Sequence, residues 1–243
     1  MAFEQSITLP SQHQISYWRI TDADIDFIGE TAKFKFGGYI DRQNRLQFEN
    51  QPAKTHFLTI PSPVFNQNIP DYDTALPSKI TTDILLSAGG PFEGGTALSN
   101  MTWNYNTTHN GFPVSHFRIR RLRMNWNNDF AMLSINAYKD EATFDPENPN
   151  ENRTPVGGDL QSYRFSRTEF QDYFRASLVG GSQTFNDSIG GGGTVTVVDP
   201  LEGELGFNRE TVYTYAKNYD PFFANATDIT EEQTSSDSVN VPF

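Results

Sequence analysis

The 243 residues carry 18 basic and 30 acidic side chains, a net charge of −12, so the whole-chain field repels phosphate backbones and anionic lipid and excludes nucleic acid as a natural partner. No stretch approaches the roughly 20 apolar residues of a membrane helix. The absence of Cys removes disulfides, thiol nucleophiles and zinc–thiolate sites together.

Alternating segments bounded by Gly, Pro, Asn and Asp recur along the chain, while long helical patterns are almost absent, which predicts an all-β fold. Twenty Phe, ten Tyr and three Trp are its natural core formers. In chain order, Ile15–Ile20 opens a strand that runs on through Asp22-Ala23-Asp24-Ile25-Asp26. Strict alternation puts Arg19, Thr21, Ala23, Ile25 and Phe27 on the core side and Ile20, Asp22, Asp24 and Asp26 on the other. Phe34 and Phe36, between Lys33 and Lys35, mark a second strand after the turn Ile28-Gly29-Glu30. Asp22–Asp26 begins like a calcium loop, but Phe27 stands where the loop needs Gly and Lys33 where it needs a bidentate Glu. Met101–Asn106 mixes aromatics with Asn, and Trp103 and Tyr105 are the candidate contacts for a sugar ring.

Later in the chain, Ser166 and Glu169 have capping-box spacing for a short helix, and Gly190–Gly193 reads as a loop tip before the strand Thr194–Val198. A helix is predicted from about Asn208 to Lys217. Beyond it lie Tyr219-Asp220-Pro221-Phe222-Phe223, a polar acidic stretch from Asp228 to Asp237, and an apolar end containing Val239, Val241 and Phe243. That tail could dock on a neighbouring subunit as an added strand.

Laid on itself, the chain repeats. Ile15–Ile20 matches Val114–Ile119, and the same separation of 99 residues places Phe27 on Trp126, Phe34 on Leu133, Phe36 on Ile135, Tyr39 on Tyr138 and Asp41 on Asp140. Each copy reads as strand, tight turn and strand, the second turn being Asn127-Asn128-Asp129. The match extends more weakly to Thr55–Thr59 and Ser162–Ser166. Sandwich or barrel-like units with long loops and one or two short helices follow, divided as residues 1–98, 99–227 and an extended tail 228–243. In the second copy the acidic row becomes Arg121, Arg123 and Asn125. The rows are either two solvated strand faces or surfaces that meet, between the halves or between subunits; on the second reading Asp22, Asp24, Asp26, Arg121, Arg123, Val239, Val241 and Phe243 form the candidate subunit interface.

No catalytic or metal-ligating residue can be assigned, and no cofactor is expected. There is no G-x-S-x-G, His116 sits within a strand, and the glycine run lacks the Lys and helix of a phosphate cradle. Five sequons, among them Asn106-Thr107-Thr108, would matter only after secretion, and the first residues show no signal-peptide pattern. The expectation is a protein made in a cytosol, with no membrane partner.

Ile7–Pro10, Ile15–Ile20, Phe34–Tyr39 and Val212–Lys217 resemble small β-rich structural proteins encoded by tailed bacteriophages and prophages. The resemblance implies a non-enzymatic virion protein of tail or baseplate type, made in the host cytoplasm. Its partners would be itself, in a symmetric oligomer, and other virion proteins. A receptor- or glycan-binding tail-tip protein contacting a host surface glycan, and a glycan-cleaving enzyme, are the alternatives.

Overall fold

The computed structural model describes residues 2–48, 51–69, 80–99, 101–140, 156, 161–170, 183–187, 193–197 and 209–229. Chain order runs β1 (Ala2–Thr8), β2 (Gln14–Asp26), β3 (Thr31–Tyr39), α1 (Arg42–Gln47), β4 (Lys54–Ile60) and α2 (Ser62–Asn68). A π-helical turn, Ile80–Leu85, leads into β5 (Thr96–Ala97), β6 (Thr102–His109), β7 (Phe112–Asn125), β8 (Phe130–Tyr138), β9 (Gln161–Arg164) and α3 (Arg167–Phe170). Last come the hairpin β10 (Gln183–Asp187) and β11 (Gly193–Val197), then α4 (Arg209–Tyr219) and β12 (Thr227–Ile229).

The fold is all-β. Ten strands form one antiparallel sheet along the path β12-β1-β2-β7-β6-β5, with β3 and β4 flanking β2, and β8 and β9 flanking β7. The sheet does not close into a barrel, because β4, β5, β9 and β12 each pair on one side only among the described residues. One continuous cluster of buried side chains runs through both halves, from Phe3 and Trp18 to Trp103 and Phe117.

The hairpin duplication is visible in the backbone. Glu30 and Asp129 adopt left-handed φ values of 48° and 47° at the same place in the two hairpin turns. Ser16 donates its amide and hydroxyl to the Ile40 carbonyl, and Ser115 donates both to that of Lys139. Each long strand carries a bulge, at Thr21 in β2 and at Arg120 in β7, again 99 residues apart. The bulge corrects the alternation expected for β2. Its extra residue flips parity, so Trp18 and Ile20 share the core with Ala23, Ile25 and Phe27, whereas Arg19 is only half-buried.

The duplication extends beyond the hairpins. In β1 and β6, Phe3 opposite Trp18 corresponds to Trp103 opposite Phe117, and both strands break register at the next step. In β4 and β9, Leu58 opposite Phe34 corresponds to Tyr163 opposite Leu133, two residues away from the sequence match. The following helices each bury one phenylalanine, Phe65 in α2 and Phe170 in α3.

Each unit is completed by a helix–turn–strand segment. In unit 2 it lies directly upstream: the π-helical turn, a tight turn holding Phe92, and β5 on the edge of β6. Unit 1 receives it from far downstream, as α4, a tight turn holding Phe223, and β12 on the edge of β1. Gly95 donates to the Phe92 carbonyl and Ala226 to that of Phe223, each at 2.9 Å. Residues 80–97 serve the second unit, residues 209–229 serve the first, and the boundary at 227/228 falls inside β12.

Candidate functional site

The acidic and basic rows face each other where β2 pairs antiparallel with β7. Register opposes Asp22 to Asn125, Asp24 to Arg123 and Asp26 to Arg121. Exchanging the repeats maps the first pair onto the third and leaves the central pair in place, so an approximate twofold axis passes through Asp24 and Arg123. Reciprocal backbone bonds bracket the junction: Phe27 donates to the Arg120 carbonyl and Trp126 to that of Thr21, both at 2.9 Å. The bulge residues thus supply the acceptors that hold the two units together.

On the non-core face, Arg121 grips Asp24 with two donors, Nε and Nη2, the latter 2.6 Å from Oδ2. Asn125 Nδ2 donates to Asp22 Oδ1 at 2.6 Å. Lys35 lies 3.5 Å from Asp22, Arg123 3.7 Å from Asp24 and Arg120 3.7 Å from Asp26. The forked Arg–carboxylate geometry is the strong form of this contact, and partial burial at about 30% exposure preserves more of it than a fully exposed pair keeps. Asp26 and Asn125 have a further task, capping the turns that follow them through the Gly29 and Asn128 amides. The rows meet within one chain.

The three Asp carboxylates are consumed by cationic and amide partners, and among the described residues no group of three or more His, Cys, Asp or Glu is placed to hold a metal ion. Trp103 is corrected as a sugar contact. It is fully buried, wedged between Phe92 at 4.9 Å and Phe117 at 5.9 Å between ring centroids, and a stacking platform needs an open ring face. Tyr105 is half-buried against the same cluster. His116 is buried, with Nδ1 3.1 Å from the Asn104 side-chain oxygen. Val239, Val241 and Phe243 lie outside the described residues.

Two contacts had no local sequence signal. His56 Nε2 meets Asp220 Oδ2 at 2.7 Å, and its ring stacks on Phe222 with centroids 4.2 Å apart. This joins the edge strand β4 to the segment that completes unit 1. The second contact latches each hairpin turn to a helix start: Ser62 donates to Glu30 at 2.9 Å, and Arg167 to the buried carboxylate of Asp129 at 3.0 Å. Beside the latter, the Ser166–Glu169 capping box forms, with the Ser166 amide on Glu169 Oε2 at 2.6 Å. Burial pushes the Glu169 carboxyl up, but the Ser166 amide, the Tyr163 hydroxyl and the Ser166 hydroxyl together hold it below the usual glutamate range.

No protein-family model, curated protein or solved structure matches the chain. What the geometry defines is a pair of similar β units welded through a charge-complementary junction. Its contacts join two strands of one sheet.

Proposed function

We propose that the chain is a non-enzymatic structural subunit of a bacteriophage particle, of tail or baseplate type, that assembles with itself and with other virion proteins. One observation carries the reading. The motifs that most resemble phage structural proteins are scattered over more than 200 residues of sequence, yet they pack together in unit 1. Ile15–Ile20 and Phe34–Tyr39 pair within its hairpin, Ile7 pairs with Ile15, and Tyr213 of α4 accepts a hydrogen bond from the Ile20 amide at 2.9 Å. The second hairpin, β7 with β8, shares the resemblance more weakly, and motifs distant in sequence that pack together are what a shared assembly unit would leave. Among the described residues β4, β5, β9 and β12 pair on one side only, and such edges are strand surfaces through which subunits would associate.

Quantitative peptide mass spectrometry on purified particles tests this, with copy number scaled to the major capsid protein. The expected result is stoichiometric presence at the low copy number of a tail component. A capsid-like copy number would overturn the tail placement, and absence from particles would overturn the virion reading.

A further inference from the structure

We infer that the segment 209–229 is an exchangeable element: α4, the Phe223 turn and β12 of one copy complete unit 1 of a second copy. The inference deepens the assembly reading above by naming the partner and the surface. It starts from the seat that unit 1 presents. Phe223 is fully buried, its ring centroid 4.9 Å from Phe3, 4.7 Å from Phe36 and 5.8 Å from Trp18. Phe222 packs on Trp18 and His56, and its carbonyl accepts from Gln5 Nε2. Asp220 meets His56, Tyr213 meets the Ile20 amide, and β12 adds a strand to β1 through Ala2–Ile229, Phe3–Asp228 and Glu4–Thr227. Every one of these partners belongs to unit 1.

The segment, however, is delivered from unit 2. Residues 171–208 separate it from α3. With β10 and β11 folded back as a hairpin, the stretches 171–182 and 198–208 alone span up to about 75 Å at roughly 3.3 Å per residue. Covalent geometry therefore permits the segment to reach its own seat or a neighbour's. Unit 2 offers no such choice, because β5 ends at Ala97 and β6 begins at Thr102, too close for its completing segment to leave.

The occupant follows from the seat. The cleft is shaped for Phe223, the carboxylate for His56 and the strand for β1, so a second copy of this chain fits as well as the chain itself, and each copy both gives and receives. Exchange is bimolecular, whereas self-docking is not, so exchange gains ground as the concentration of copies rises.

The absence of native Cys makes a direct test possible. Glu4 and Thr227 are register partners on adjacent antiparallel strands, within disulfide reach. Full-length Glu4→Cys and Thr227→Cys chains are unfolded together, refolded at high protein concentration and oxidised. A Glu4→Cys plus Thr107→Cys mixture serves as the control for random collision. The expected result is a covalent heterodimer several-fold above the control, rising with concentration. The double variant Glu4→Cys/Thr227→Cys, refolded dilute, should close within one chain and so report docking independently. Closure in the double variant with no heterodimer above control in the mixture would overturn the inference. Because the test uses purified protein, its failure leaves the particle measurement untouched.

Discussion

The two units share a backbone and differ in how their side chains sustain it. Both carry the bulge, the left-handed turn residue, the broken register on the outer strand and the phenylalanine turn. Where unit 1 has Trp18 it has Gly38 opposite, on which a Cβ would lie 2.8 Å from the indole. At the corresponding pair unit 2 has the smaller Phe117 and the larger Ala137. Most telling is the sign of charge. Unit 1 against a second unit 1 would oppose six carboxylates across the junction, whereas unit 1 against unit 2 opposes acid to base. Backbone complementarity would allow either pairing, and the side chains reject one of them.

The comparison breaks most visibly if the phenylalanine turns are not equivalent. Phe223→Ala and Phe92→Ala should each cost about 3–5 kcal/mol, as large-to-small changes in closed cores do. Urea denaturation of the two variants reads this directly, and a much smaller loss for Phe223 would mean that its segment only rests on unit 1. Next in size, Arg121→Glu combined with Arg123→Glu sets like charges across the junction and should cost roughly 2–3 kcal/mol, exposure taken into account. Adding Asp24→Lys should recover part of that loss. An unchanged midpoint in the double variant would remove the charge rows from the account of unit pairing.

The third test converts one unit into the other. Gly38→Ala should destabilise by about 1–3 kcal/mol because the rigid indole must shift, and Trp18→Phe in the same chain should relieve it through a favourable coupling of about 1 kcal/mol. Additive losses would show that the two positions do not sense each other. The smallest effect belongs to Glu169→Gln, about 0.5–1 kcal/mol for a weakened helix cap. Since the native carboxyl is held below its ordinary range, the charged cap stabilises fully above about pH 4.3 and fades as pH falls through the native value. The melting temperatures of wild type and variant should therefore converge in acid and separate near neutrality.

How much of this could be read in advance followed from where the repeat keeps its length. The hairpins preserve a separation of 99 residues because both strands, both bulges and both turns are equally long, and a gapless match is easy to see. At β4 and β9 the preceding loops differ, and the sequence match of Thr55–Thr59 to Ser162–Ser166 lands two residues from the observed register, with the right face but the wrong partners. The bulge at Thr21 had no local mark, so alternation misplaced Arg19 and Ile20. Trp103 resembled a sugar platform because its sequence neighbours are polar, while the side chains that bury it, Phe92 and Phe117, come from other segments. The completing segments escaped notice because their order is permuted, although Phe92-x-x-x-Thr96 and Phe223-x-x-x-Thr227 carry a faint common spacing. The Ser166–Glu169 cap was legible because capping is decided within four residues.

Pairing of Ala2 with Ile229 also sets the order of events during synthesis. Strand β1 is synthesised more than 200 residues ahead of the strand that covers its edge and the ring that fills its cleft. At roughly 5–20 residues per second, the seat formed by Phe3, Trp18 and Phe36 waits some ten to forty seconds. Neighbouring nascent chains on one message are at that stage the nearest source of a finished segment, so birth on a polysome would favour partners made side by side.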